Sequence, residues 1–330
     1  MDIHVRRDPE TIQALTDDWC ALWDRDLSAS LFQRPEYLGI WLTEFGADRN
    51  PCFIEIRDGG ELRGLAALSV DADGVLRFLG DHDVTDYFGP LAAPDDHDAV
   101  ADAVVEAIAR VDGWERAELL GLGVDTGWDG AIARAAKAAG LSVDERAQDV
   151  CPRVALGGTY DDYLASLDGK LRHEIKRKAR KLEREAGSYT VRMVTGEDLH
   201  EDMELFFDMH RSSEGPKGHF LHWGMSGFFI LLARTFAKKG WLRLTFLEQG
   251  GRTVAGVFSF AARGIWNVYN SAFDQSMREL APGMVLMAET IKLAADEGST
   301  VFDLLRGDEP YKYRFGARDV ALRALSLGRA

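Results

Sequence analysis

SAFDQSMRELAPGMVLMAETIKLAADEGSTVFDLLRGDEPYKYRFGA, residues Ser271 to Ala317, passes from strand to loop to helix to strand. Ile265 to Phe273 reads as a strand, and a polar loop then leads to Pro282-Gly283. Proline is favoured at the first position of a helix, so Met284 to Glu297 is the predicted helix, closed by Gly298. Val301 to Leu305 is the next strand. A loop ending at a helix N-terminus presents unpaired backbone N–H groups and the positive end of the dipole, a setting suited to pyrophosphate. Gly283 allows close backbone approach and Arg278 adds charge, so Arg278, Pro282, Gly283 and Met284 are candidate residues for a phosphorylated donor. An ordinary proline-led helix start has the same appearance.

Upstream, LTFLEQGGRTVAGVFSF (Leu244 to Phe260) is a strand–turn–strand signature. FIEIRDGGELRGLAALSV (Phe53 to Val70) has the same form. Each is followed by a strand, a loop with proline, a helix, a glycine and a strand. A shared order of this length argues for a tandem duplication, with expected domains at 1–150 and 151–330. The expected fold is α/β (α+β): two units, each a mixed, mostly antiparallel sheet flanked by helices. Leu322 to Leu327 is the expected last strand of the second unit. Tyr160 to Ala186 reads as one or two helices, and Leu199 to Ser213 and Phe228 to Lys238 as two more. In the first copy the corresponding helix start is Pro94-Asp95-Asp96-His97-Asp98. Its carboxylates suit the helix dipole but repel a phosphate, which leaves the second copy to hold the donor.

The chain of 330 residues is long enough for two cores, and its net charge of −15 opposes binding to DNA. Cys20, Cys52 and Cys151 are far apart and form no metal or disulfide framework. With no leading apolar run and no long apolar stretch, the expected compartment is the cytoplasm, with no membrane span. No zinc, P-loop or serine-hydrolase motif is present, so no metal is expected.

The Pro282-Gly283 helix start, Gly298, Phe302-Asp303-Leu304, Gly307, Tyr311-Lys312 and Phe315-Gly316 together resemble the C-terminal signature of a GNAT-like acyltransferase family. That family includes the CelD/BioF2-type acetyltransferase domain and is related to the FemX/FemAB peptidoglycan aminoacyl transferases, which use two GNAT-like units. KLRHEIKRKARKLERE (Lys170 to Glu185) and MHRSSEG (Met209 to Gly215) resemble the same family, as do LFQRPEYLGIWLTEFG (Leu31 to Gly46) and TDYFGPL (Thr85 to Leu91). One departure is plain: MRELAPGM does not reproduce the Arg/Gln-x-x-Gly-x-Gly/Ala phosphate loop of standard GNAT enzymes.

The resemblance implies an N-acyltransferase with acetyl-CoA or another acyl-CoA as donor. The acceptor it implies is an amine on a sugar or cell-envelope precursor. Lys312 matches the lysine that Fem-type relatives place near the substrate phosphate or the transferring carbonyl, where an ammonium stabilises an oxyanion. Asp303 and Glu309 are candidate general bases toward the amine. Tyr311 is the candidate proton donor to the leaving thiolate, as tyrosines are in GNAT enzymes. The basic helix has an apolar stripe of Leu171, Ile175, Ala179 and Leu182, so its cations crowd the other faces. Arg172 and Lys176, one turn apart, are candidate anion contacts. His210 and Arg211 late in a helix, and Asp86 and Tyr87 in the first copy, complete the candidate acceptor-binding set. Two alternatives share this fold: a Fem-type transferase taking aminoacyl-tRNA on the basic helix, and a non-catalytic scaffold in polysaccharide synthesis.

Overall fold

The computed structural model describes residues 1–80, 83–212 and 223–329, without the side chains of 223 and 224. The chain divides into two compact units, Met1–Val150 with the stretch from Val320, and Cys151–Asp319. The first unit contains β1 (Asp2–Arg6), α1 (Thr11–Ala14), α2 (Thr16–Arg25), α3 (Pro35–Phe45), β2 (Asn50–Asp58) and β3 (Glu61–Val70). It continues through β4 (Val75–Phe78), β5 (Leu91–Ala92), α4 (His97–Arg110), β6 (Arg116–Gly123) and α5 (Trp128–Ala138). The long strand β7 (Ser142–Ala155) begins in this unit and ends in the next. The second unit contains α6 (Tyr160–Ser166), α7 (Gly169–Ala186), β8 (Tyr189–Met193), α8 (Leu199–Arg211), α9 (Trp223–Lys238) and β9 (Leu242–Gln249). After these come β10 (Arg252–Ala262), β11 (Ile265–Phe273), α10 (Pro282–Asp296) and β12 (Val301–Asp303), and then the last strand, β13 (Arg318–Gly328).

The first unit's sheet has the order β1-β2-β3-β4-β6-β13, antiparallel except for the parallel pair β4/β6. The second runs β8-β9-β10-β11-β12-β7, antiparallel except for the parallel pair β11/β12. Order and direction agree strand for strand. The agreement extends to detail. Both hairpins close on two glycines with positive φ, Gly59 (55°) and Gly60 (89°), Gly250 (58°) and Gly251 (78°), the conformation that a tight two-residue hairpin turn demands of both central residues. Both then skip one residue of the return strand at its third position, Arg63 in β3 and Val254 in β10.

The last strand departs from the sequence reading, which gave it to the second half. Leu322 pairs with Gly123 and Leu325 with Leu119 of β6, and Leu325 and Leu327 are buried in the first unit's core. The sixth strand of the second unit is instead the end of β7, whose Arg153 to Ala155 pair with Asp303 to Val301 of β12. The strand β7 had no sequence counterpart at all. Its first half, SVDERAQDV, is mostly exposed and charged and shows no alternation.

Each sheet covers its own apolar core. In the first unit Val100, Val104 and Ile108 of α4 and Ile132 of α5 pack on Ile54, Ala66, Leu76 and Leu119. In the second, Val285, Leu286, Ile291 and Ala294 of α10 pack with Ile175 and Leu182 of α7 on Val257, Trp266 and Phe302. Among the described residues, no helix is long and apolar enough to cross a membrane.

Candidate active site

In the second unit the parallel pair β11/β12 lasts only from Ile265↔Val301 to Asn267↔Asp303, while β11 continues to Phe273. The chain leaves the sheet because Leu305 takes a φ of +55° and Gly307 one of +109°. A leucine in the left-handed region is uncommon, and here it is held from both ends. Asp303 Oδ1 accepts the Leu305 N–H at 2.8 Å. Lys312 Nζ donates to the carbonyls of Leu305 at 2.9 Å, Arg306 at 2.7 Å and Gly307 at 3.0 Å.

Lys312 is 2% exposed, and Glu309 Oε2 lies 2.9 Å from its Nζ and balances the charge. An ammonium has three N–H bonds; those of Lys312 are spent on the turn that separates the two strands. The lysine thus clasps the loop from inside, a different position from the expected contact with a transferring carbonyl. Asp303 is 1% exposed, and its Oδ2 accepts from Arg153 Nε at 2.6 Å. This carboxylate braces the same loop, with one oxygen on the Arg153 guanidinium and the other on the Leu305 amide.

On the free part of β11 a bulge interrupts the pairing with β10. Phe258 faces Asn270 and Ser259 faces Val268, so Tyr269 is passed over. Bulges re-aim side chains: Tyr269 packs 5.3 Å from the ring of Phe229 and 5.6 Å from that of Phe260. Asn270 Oδ1 accepts the Ser271 N–H at 2.8 Å and lies 3.2 Å from Nε2 of His210, which is 1% exposed at the end of α8. The Tyr311 side chain hydrogen-bonds Ser271. Burial first, and the Glu309 carboxylate second, push the Tyr311 hydroxyl well above the usual phenol range, the Ser271 bond acting weakly the other way. The hydroxyl therefore keeps its proton throughout the neutral range.

Beyond Phe273 the loop forms a 3₁₀ turn over Gln275–Leu280 and enters α10 through Ala281, whose φ is +54°. Met284 and Val285 N–H both turn back to the Ala281 carbonyl, at 3.0 and 3.2 Å. Pro282 has no N–H, and the Gly283 N–H has no partner among the described residues. Arg278 is exposed on the loop. Gly283 also has a packing reason to be glycine, since a Cβ there would meet Phe273 Cδ1 at 3.2 Å.

The structure therefore gathers Lys312, Asp303, Glu309, Tyr311 and His210 around the opening between β11 and β12. It adds Arg153, Asn270, Ser271 and Leu305, which sequence reasoning missed. A polar Asn-Ser pair at the end of an apolar strand was the available signal. The other candidates lie elsewhere. Arg172 donates to Leu164 O at 3.4 Å, and Lys176 is exposed with Lys170, Arg177 and Arg180 along α7. Arg211 is taken up by Asp208 at 2.6 Å and Glu204 at 3.7 Å on its own helix. Asp86 and Tyr87 belong to the first unit, where Tyr87 packs 6.3 Å from Phe32. The part of the motif at Met209 to Gly215 that starts at residue 213 lies outside the described residues. Among the described residues no group of three or more His, Cys, Asp or Glu is placed to hold a metal ion.

Residues 169–313 match the family model of an acetyltransferase (GNAT) domain. No curated protein matches the sequence. Solved structures with the same fold include FemX, at 13% identity over 98% of this chain and 97% of that one, with a TM-score of 0.66. A chain assigned as the C-terminal domain of a putative lysylphosphatidylglycerol synthetase from Agrobacterium fabrum is 11% identical over 96% and 92%, with a TM-score of 0.60. A tandem GNAT protein from the clavulanic acid biosynthesis pathway is 9% identical over 99% and 98%, with a TM-score of 0.53. At such identities the likeness establishes the fold.

Proposed function

We propose that the chain, whose residues 169–313 match an acetyltransferase (GNAT) domain, transfers an acyl group from acyl-CoA to an amine of a sugar or cell-envelope precursor. The observation that carries this reading is the short parallel pair β11/β12 with Tyr311 beside its open end. The outer backbone of β11 can pair with an extended amide-bearing donor arm, as strands do with added peptides. The unpartnered Gly283 N–H at the start of α10, with exposed Arg278 nearby, suits the donor's diphosphate.

The reaction joins an amine nitrogen to the thioester carbonyl carbon and releases the thiolate. Tyr311, kept protonated by burial and by Glu309, supplies the proton that the thiolate takes up. Glu309, 47% exposed at its side chain, receives the proton lost by the amine in this reading. Lys312, Asp303 and Arg153 act as positioning residues that fix the loop bearing Tyr311, and His210 orients Asn270 and through it the Ser271 amide. The envelope acceptor is supported by the Fem-type motifs and by the fold shared with FemX and the lysylphosphatidylglycerol synthetase domain. The widely spaced cysteines, with no disulfide among the described residues, fit the cytoplasm as compartment.

The test is a transfer assay with acetyl-CoA and longer acyl-CoAs against amino-sugar and envelope-precursor amines, reading thiol release. Tyr311→Phe should lower kcat by about 10²-fold with KM little changed. Full activity in that variant, or no thiol release with any acyl-CoA, overturns the reading. The exposed cations of α7 favour one second reading, aminoacyl-tRNA as donor. Binding would then weaken steeply with added salt, whereas binding of a CoA would change far less.

A further inference from the structure

The first unit contains a cavity of about 270 Å³ lined by Arg49, Ser69, Asp71, Arg77, Phe78, Gly80, Phe88, Glu118 and Leu120. It lies along the parallel pair β4/β6, the counterpart of β11/β12 by strand order. Its polar lining is only partly used by the protein. Arg77 engages Asp71 Oδ2 through Nε at 3.3 Å, and its two terminal nitrogens have no partner among the described residues. Both contacts of Glu118, from Arg146 at 2.8 Å and Ser326 at 2.9 Å, fall on Oε2, so Oε1 accepts nothing there. Ser69, 3% exposed, also lines the site. These groups face a half-open cavity and are available to a guest.

The electrostatics fix the class of that molecule. Burial works against the charge of Asp71, yet the Val75 amide, Arg77 and the Asp73 amide outweigh it and hold the carboxyl below its usual range. Burial is outweighed in the same way at Glu118 by Arg146 and Ser326. The lining therefore sets two guanidiniums against two carboxylates, a balance that favours a dipolar guest over an anion or a cation. A free guanidinium fork matches one carboxylate bidentately, and Glu118 Oε1 can accept from an ammonium. Phe78, Phe88 and Leu120 add an apolar wall. A volume of 270 Å³ is below the range of drug-sized sites and large enough for a compact metabolite.

We propose that the first unit binds a free α-amino acid with an apolar side chain, its carboxylate on the Arg77 fork, its ammonium on Glu118 and its side chain against Phe78, Phe88 and Leu120. This site is independent of the acyl-transfer reading.

Isothermal titration calorimetry of the full chain with L-leucine and L-phenylalanine tests it, with N-acetyl-L-leucine lacking the ammonium and L-leucinamide lacking the carboxylate. The expected result is saturable binding of a free amino acid and roughly tenfold or greater weakening for each capped analogue, the scale of one lost charge-assisted contact. Arg77→Gln should abolish binding while thermal unfolding confirms the fold. Should that variant fail to fold, Leu120→Trp fills the apolar side without touching the charges and should also abolish binding. No heat with either free amino acid at millimolar concentration, or capped analogues that bind as well, overturns the proposal.

Discussion

The two units share a strand order, a hairpin turn and a bulge, and they part company just beyond the ends of their parallel strands. After β4 the first unit enters α4 past Asp95, Asp96 and Asp98, and Asp96 is already bound to Arg63 at 2.7 Å. After β11 the second unit enters α10 through Ala281 and Pro282, with the Gly283 N–H unpaired among the described residues. After β6 the first unit goes directly through a short turn into α5. After β12 the second unit instead builds a loop of unusual backbone around a buried lysine. The sheet is the same in both units, and they differ where the strands hand over to loops. The first unit has a cavity at that place, lined by two arginines and two carboxylates.

The largest test of this contrast is Lys312→Met. It leaves three carbonyls and Glu309 without their cation, in a loop with no counterpart in the first unit. Removing one partner of a buried charged network costs about 3–5 kcal/mol, so the urea midpoint should fall sharply. A midpoint within error of the wild type would show that the lysine does not clasp the loop. A smaller effect is expected from Gly64→Ala in the first unit. A Cβ at Gly64 would meet Val100 Cγ2 at 2.5 Å, and overpacking of this kind costs about 1–3 kcal/mol. Acyl transfer at saturating substrate should survive that change, whereas Lys312→Met should reduce it. Equal losses of activity in both variants would break the division of labour.

The smallest effect concerns pH. In the second unit burial, aided by Glu289, pushes Tyr160 up to about 12, and Tyr163, Tyr189 and Tyr311 are also raised, with burial the leading cause in each. The folded chain keeps protons that the unfolded chain releases near pH 10, so stability from these groups is complete below that pH and declines above it. Unfolding free energies measured from pH 8 upward should fall beyond about pH 10. A flat profile to pH 11 would contradict the assigned burial of these hydroxyls.

Sequence patterns carried the elements with local signatures. Paired glycines marked both hairpins, and Pro282 with Gly298 bracketed α10 within a residue or two of its ends. Non-local pairing was illegible. The charged, exposed start of β7 gives no period to read, and nothing in Leu322 to Leu327 says which β-strand edge it will join. The candidate site divides the same way. Tyr311, Lys312 and Asp303 were singled out by their motif, but a side chain's saturation depends on which carbonyls surround it. That Lys312 would face three of them follows from the left-handed turn at Leu305, which no propensity predicts for leucine.

The first unit takes its sixth strand from residues made after the whole second unit. As the polypeptide leaves the ribosome, β6 must therefore wait with one edge bare until synthesis has passed Val320. Contacts so distant along the chain slow folding, and a bare edge invites the wrong neighbour. The unit that comes first in the gene is thus the last to be finished.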